Sequence, residues 1–526
     1  MLNTHAPEPL SDLDRQVCAL VVPADHFLRL VAQRIDFERF RPRLAGAYSP
    51  GMGRPSIDPI RMLKILFLAY HYRLSDRRVM ERARTDMAFR WFLGLPMTSP
   101  PPHHTEGTYF RHRIGVERFT QVFQDLLTQA REAGLVRDRL RLKDATHLIA
   151  NVADLRALPL VAQMRERLCQ VARPFFPDWV QAQRDQAEVL RQATAEAGDD
   201  ERLAARVEHL REMTAQLHER AAGLPAAAAD DRGRARLCRV LEVAKEMLAD
   251  RDHPGAGDAV FSSVDPDARV GKHGDFFAGY LLDLAIDADS ELITAVNVLP
   301  GNGAEAADAV TLIQQEEAAQ GNDVQALSMD GIGYNGPVLR DLTDPQGLNL
   351  AVTVPLPAAA PRTTFGPERF TLTVIDAEQA ELTCPNGQAT RQRRRNGADT
   401  GDRYQFRKSQ CAGCPLRAEC LQNPASPRGR VVDMNDYAAE YRAVETQAQT
   451  AEYQETRRTH RKIERKLGEV VRHHQMRRAR YWGMAKVRVQ ALLGAWVVNV
   501  KRMVKLLAPA DATATQPLCA AAVGSS

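Results

Sequence analysis

From residue 155 to 258 the chain reads as helix almost without interruption, as in RLAARVEHLREMTAQLHERA and RARLCRVLEVAKEMLAD, yet strand-like alternation stands on both sides of it. Before it, Leu140, Leu142 and Asp144 alternate in RLRLKDATH. After it, Tyr280, Leu282, Leu284 and Ile286 alternate, turn residues follow at 287–290, and Leu292, Thr294, Val296 and Val298 alternate back as the second arm of a hairpin. Strands so separated fit one domain if the helical text between them is an insertion, expected here as a helical hairpin or coiled-coil arm.

After the hairpin come a helical stretch from Ala304 to Ala319, a short apolar strand in VQALSMDGIGYNG that ends at Asp330, a further helix, and the strand GLNLAVTVP. Hairpin first, then strand, helix and strand, describe a mixed α/β fold: a mixed sheet flanked by helices. A second insertion, Cys-rich and basic, is expected at 360–430, and two helices close the chain. The amino-terminal part is helical in grammar. In SIDPIRMLKILFLAYHYRLSDRRV, Ile60, Leu63, Leu66 and Tyr70 recur at helical spacing and Ser75 is a natural N-cap; Thr105 is expected to cap a third helix. The domains expected are therefore 1–137, a helical domain suited to docking on DNA through Arg73, Arg77, Arg78, Arg111 and Arg113, and 138–526, the mixed α/β domain with its two insertions.

The chain's 70 Lys+Arg against 66 Asp+Glu leave only +4, so net charge alone announces no polyanion partner. Its distribution does. Residues 455–480 hold ten Lys/Arg against three Glu, RQRRR at 391–395 adds a second basic block, and the stretch 250–344 is acidic. No apolar run is long enough to span a membrane, and the start MLNTHAPEPLSDLDRQ lacks the basic head and apolar core of an export signal, so a cytoplasmic place is expected, with no membrane partner. In that reducing setting, where disulfides would not persist, the four close thiols Cys384, Cys411, Cys414 and Cys420, with a CxxC at their centre, are expected to hold a structural Zn²⁺; the long gap from Cys384 to Cys411 is not a standard finger spacing and leaves a free-thiol loop or an iron cluster as alternatives.

Three acids stand where chemistry is expected. Asp144 and Asp330 occupy carboxyl ends of neighbouring strand candidates, where a sheet fixes side chains beside exposed loops. Glu464 lies in a late helix amid cations, one turn after His460. Three carboxylates so converging would bind two Mg²⁺ or Mn²⁺ ions, hard cations that take oxygen ligands, and would serve phosphodiester displacement. Asp265 and Asp267, in a Pro-containing turn, are expected to be structural.

The fragments GRPSIDPIRMLKILFLAYHYRLSDRRV, TEGTYFRHR, LKDATHLIANVA, VDPDARVGKHGDFFAGY, MDGIGYNG, CAGCPLRAEC and RYWGMAKVRVQALLGAWVVNVKRM, in this order, resemble bacterial insertion-sequence transposases of the DDE class. The resemblance runs from about Gly53 to Met503, the helical block excepted. It implies a ribonuclease-H-like catalytic core with acids on the first strand, the fourth strand and a late helix: Asp144 in LKDATH, Asp330 in MDGIGY and Glu464 in RKIERKLGEV. It also implies binding to the terminal inverted repeats of the element and to target DNA, metal-dependent cleavage and strand transfer, a homodimer, no small-molecule substrate, and a place at the bacterial nucleoid. Relatives carry Tyr and Arg seven and four positions before the Glu; here Arg457 and His460 stand there, so Arg458 and Arg461 are expected to share phosphate contacts, as are Lys272 and His273. Two rival readings remain: an inactive or domesticated relative that binds DNA without cutting it, and a zinc-containing helical scaffold protein.

Overall fold

The computed structural model describes residues 10–49, 55–153, 157–224, 231–252, 259–358, 364–376 and 379–508, with residues 2, 51 and 53. The expected insertion limits at 155, 258 and 360 lie outside the described residues. The chain divides into two compact units: residues 1–137, 145–305 and 464–526 form the first, and residues 138–144 and 306–463 the second.

The strands of the main sheet are β1 (Arg141–Ile149), β2 (Arg269–His273), β3 (Asp275–Asp287), β4 (Ile293–Pro300), β5 (Ala326–Ser328) and β6 (Ala351–Thr353). Their order is β2-β3-β1-β5-β6, with β4 also paired to β3. β3 is antiparallel to β2 and β4, whereas β5 is parallel to β1 and to β6, so the sheet is mixed as the alternation and the intervening helices predict. The expected hairpin turn is built by Asp287, whose carboxylate accepts from the Ser290 amide (2.8 Å) and hydroxyl (2.7 Å).

In the first unit, Asp58 caps the helix Pro59–His71 and Ser75 caps Asp76–Thr85 through the Arg78 amide (3.3 Å), the cap expected from sequence. Thr105 instead opens the helix Thr105–Glu132 from inside, after His104, and the helical backbone breaks at Gly115 (φ 70°), where glycine bears the left-handed turn at no steric cost. The helix Met484–Leu506 is buried along most of its length. Its Trp496 meets the rings of Phe37, Phe40 and Phe67 edge-on at centroid distances of 6.1, 5.7 and 5.9 Å. Its Asn499 accepts from the Ile293 amide (2.8 Å) and donates to the Ile293 carbonyl (2.7 Å), binding the helix to the start of β4.

The block expected as a hairpin or coiled-coil arm is a bundle of four helices, Ala157–Ala172, Pro177–Ala193, Asp199–Ala222 and Asp231–Asp252. Leu168, Cys169, Leu210, Met213, Leu217, Leu237 and Ala244 are fully buried in a core of its own. An arm would leave these stripes in water, and closing them on one another removes that cost.

β3 passes close against β1 at Gly279. A Cβ there would stand 2.2 Å from the Leu148 carbonyl oxygen and 2.7 Å from the Ala150 nitrogen, both backbone atoms that cannot rotate away. Gly279→Ala is therefore expected to destabilise the protein by about 3 kcal/mol, the upper range for overpacking. The urea midpoint would read this, and an unchanged midpoint would mean that the strands separate at little cost.

Candidate functional site

Parallel pairing decides which side chains meet. β1 and β5 are in register at Leu142 and Ser328. Two residues on, at the same step of the pleat and on the same face, come Asp144 and Asp330. Their carboxylate oxygens lie within 4.8 Å of each other, and Glu305, which opens the helix Glu305–Gln320, offers an oxygen within the same distance of both. Asp144 and Asp330 are half-buried and Glu305 is buried. Asp330 is also the cap of the short turn that follows: its Oδ1 accepts from the Ile332 amide (3.2 Å), which fixes the carboxylate while its other oxygen keeps acceptor capacity. Such a set of close oxygen donors suits a hard divalent cation.

β1 is held by a buried charge cluster. Arg141, three residues before Asp144, is fully buried; its Nε and Nη2 donate to the Glu316 carboxylate at 3.0 and 2.7 Å, and Nη2 also reaches Asp138 at 2.7 Å. On the other side, β5 is tied to the helix Ala451–His473, for Ser328 Oγ and His460 Nδ1 are 3.0 Å apart and Arg457 donates to the Met329 carbonyl (2.7 Å).

Glu464 is exposed on that same helix and is not among the three acids that meet. Sequence reasoning passed over Glu305, whose only signal is an acid at the start of a helix directly after the hairpin. Asp265 and Asp267 are structural, as expected: Asp265 is fully buried and accepts from the Tyr280 hydroxyl (2.5 Å) and the Gly483 amide (2.8 Å), and Asp267 accepts from the Met484 amide (2.7 Å).

Of the cations expected to meet phosphate, Arg73, Arg77, Arg78, Arg113, Lys272, Arg458 and Arg461 are exposed. The side chain of His273 lies outside the described residues. Two expectations need correction. Arg111 is buried because its guanidinium serves Asp76 (3.0 Å), and His460 is 3% exposed because it faces Ser328, so in this structure neither presents its charge to a polyanion. Arg457 is half-buried for the same reason.

Burial, with a lesser contribution from Arg457, holds His460 neutral and lowers its pKa from 6.5 to about 4. A proton is then taken up by the unfolded chain before the folded one, so stability is complete above pH 6.5 and is lost as pH falls towards 4. His460→Asn should flatten this decline, measured as urea midpoints at pH 7 and pH 5; a decline of unchanged steepness would assign it to other groups.

The four clustered cysteines are half-buried free thiols. Cys384, Cys411 and Cys420 pack against the small core of Phe370, Leu382, Tyr404, Phe406 and Val432. Burial pushes the Cys420 thiol up, opposed by Arg430 and reinforced by the other three thiols. Among the described residues, no cysteine joins a group of three ligand atoms within 4.8 Å.

Two family models match the chain: Transposase domain (DUF772) over residues 17–113, and Transposase DDE domain over residues 383–504. The first takes in the amino-terminal helices and the second runs from the cysteine region past Glu464, while Asp144 and Asp330 lie outside both. No curated protein and no solved structure matches the chain.

Proposed function

The chain belongs to the DDE transposases of insertion sequences, and from that premise we propose that Asp144 and Asp330 are the two aspartates of its catalytic triad and Glu464 the glutamate. The observation that carries the reading is the meeting of the Asp144 and Asp330 oxygens, with that of Glu305, within 4.8 Å. The strand order β4-β3-β1-β5-β6, with acids on the first strand and at the end of β5, supports a ribonuclease-H-like core. The amino-terminal helices are the part proposed to dock on DNA, within an expected domain at 1–137.

The divalent ions are proposed to be two Mg²⁺ or Mn²⁺ held by Asp144, Asp330 and Glu464, where they would activate the attacking oxygen and stabilise the leaving one. The chain's own part is positioning. β1 and β5 set the two aspartates at one height, the Ile332 amide orients Asp330, and Glu305 adds a fourth carboxylate to the charge available for cations. Exposed Arg458 and Arg461 on the Glu464 helix suit phosphate on both sides of a scissile bond, so affinity should fall steeply with salt. The substrates are proposed to be the element's terminal inverted repeats and its target DNA, handled by a homodimer because two ends must be joined, in the bacterial cytoplasm at the nucleoid. Cys384, Cys411, Cys414 and Cys420 are proposed to hold a structural Zn²⁺, supported by the packing of Cys384, Cys411 and Cys420 on one small core; elemental analysis of the purified protein tests it.

The experiment is cleavage of a labelled duplex carrying the element's own ends, with Mg²⁺ or Mn²⁺ and with EDTA. Metal-dependent nicking at the ends is expected. Tight, salt-sensitive binding without nicking would turn the reading to a DNA-binding relative that has lost cleavage.

A further inference from the structure

β1 continues past Asp144 to Ile149, and there a basic segment lies along it. The Ile149 amide donates to the Arg477 carbonyl (3.1 Å) and the Ala479 amide to the Ile149 carbonyl (2.8 Å), so residues 477–479 run beside the strand end in parallel. Beside this pairing opens a cavity of about 300 Å³ lined by Ile149, Phe261, Val270, Phe276, Phe277 and Arg478.

Its walls are unusual for a surface. Phe276 is 76% exposed and Val270 42%. Phe277 is held 5.2 Å from the His147 ring, which fixes one side of the opening. Cations stand around it: the Lys272 ammonium lies 5.5 Å from the Phe276 ring centre, and Arg477 and Arg478 are exposed. Among the described residues no carboxylate forms an ion pair with Lys272, Arg477 or Arg478. A single exposed aromatic is ordinary. An exposed ring over a cavity, with unpaired cations at its rim, instead favours a flat π-surface that carries an anion.

We propose that this cavity receives an unpaired nucleobase of the DNA substrate, stacked on Phe276, with its phosphate held by Arg478 and Lys272. The proposal rests on the reading of the chain as a transposase in one respect, that its substrate is DNA. A paired base keeps its faces covered by neighbours in the stack, so only a base that has left the duplex can present a face to Phe276. Stacking tolerates any base, so the site would grip DNA without reading its sequence.

The test uses the full chain and two fluorescent probes of equal length and charge, a 15-mer of dT and a 15-mer of abasic nucleotides, with binding followed by anisotropy. The wild type should bind the dT probe about tenfold more tightly than the abasic one. Phe276→Ala should bind both probes as the wild type binds the abasic one, Phe276→Trp should keep the preference, and Arg478→Ala should weaken both probes alike. Phe276 is exposed, so its replacement leaves the fold in place, and an unchanged thermal midpoint verifies this. A Phe276→Ala variant that retains the preference overturns the proposal, as does a wild type without one; in both cases salt-sensitive binding of the abasic probe leaves the DNA reading intact. A wild type that binds neither probe overturns both.

Discussion

Asp144→Ala and Asp330→Ala are each expected to lower cleavage of the element's ends by about 10³-fold or more while leaving binding to the same duplex intact. The magnitude follows from metal chemistry: charge stabilisation by a held cation is worth several kcal/mol, and each 1.36 kcal/mol is tenfold in rate. The direction of the binding change separates this from unfolding. Each carboxylate repels a polyanion in the absence of metal, so its removal should hold or raise affinity in EDTA and should not lower it. The two glutamates then divide the possibilities. Glu464→Ala should be as inactive as the aspartate variants if the helix supplies the third acid. If it still cuts and Glu305→Ala does not, the acid already within 4.8 Å of both aspartates is the third member. Undiminished cutting by both aspartate variants would remove the site from β1 and β5 altogether.

The second large effect concerns stability. Arg141 and Glu316 each have side chains with 0% exposure, and Asp138, which shares the guanidinium, is 29% exposed. Glu316→Ala removes the fully buried carboxylate that faces the fully buried Arg141 guanidinium, a change that costs about 3–5 kcal/mol. Against a total stability of about 5–15 kcal/mol this is a large share, visible as a lowered urea midpoint with an unchanged slope. Replacing both partners together, as Arg141→Met with Glu316→Leu, should recover much of the loss, because two apolar side chains need no charge compensation. Should the single variant lose less than about 1 kcal/mol, the guanidinium must reach water after all. Since Arg141 precedes Asp144 on the same strand, the Glu316 variant should also need more metal for half-maximal cleavage.

How much of this was legible depended on whether local chemistry or distant packing decided the feature. Asp144 and Asp330 could be singled out because alternation leads into the first, a short apolar strand leads into the second, and Gly331 and Gly333 mark a turn after it; the strand end expected at Asp144 needs correction, since β1 pairs on to Ile149 and holds Asp144 within the strand. Ser75 could be named as a cap because a hydroxyl three residues before an amide that needs a partner is a local matter. The meeting of Glu305 with the aspartates was not legible, since nothing in an acidic helix start says which strand ends it faces. The bundle was missed because the apolar stripe of a hairpin helix and that of a four-helix helix have the same period; only the number of partners differs. His460 and Arg111 were read as surface cations for the converse reason: sequence gives a charge, and which side of its helix is covered is settled by what packs there.

The four-helix block has a practical use for anyone who wishes to watch this protein in a living cell. Its apolar side chains satisfy one another, so the turn 194–198 between Pro177–Ala193 and Asp199–Ala222 can carry a fluorescent reporter without asking the sheet to accommodate it. Both chain ends are then left untouched, and the strands that carry the aspartates are far removed along the sequence from the added cargo.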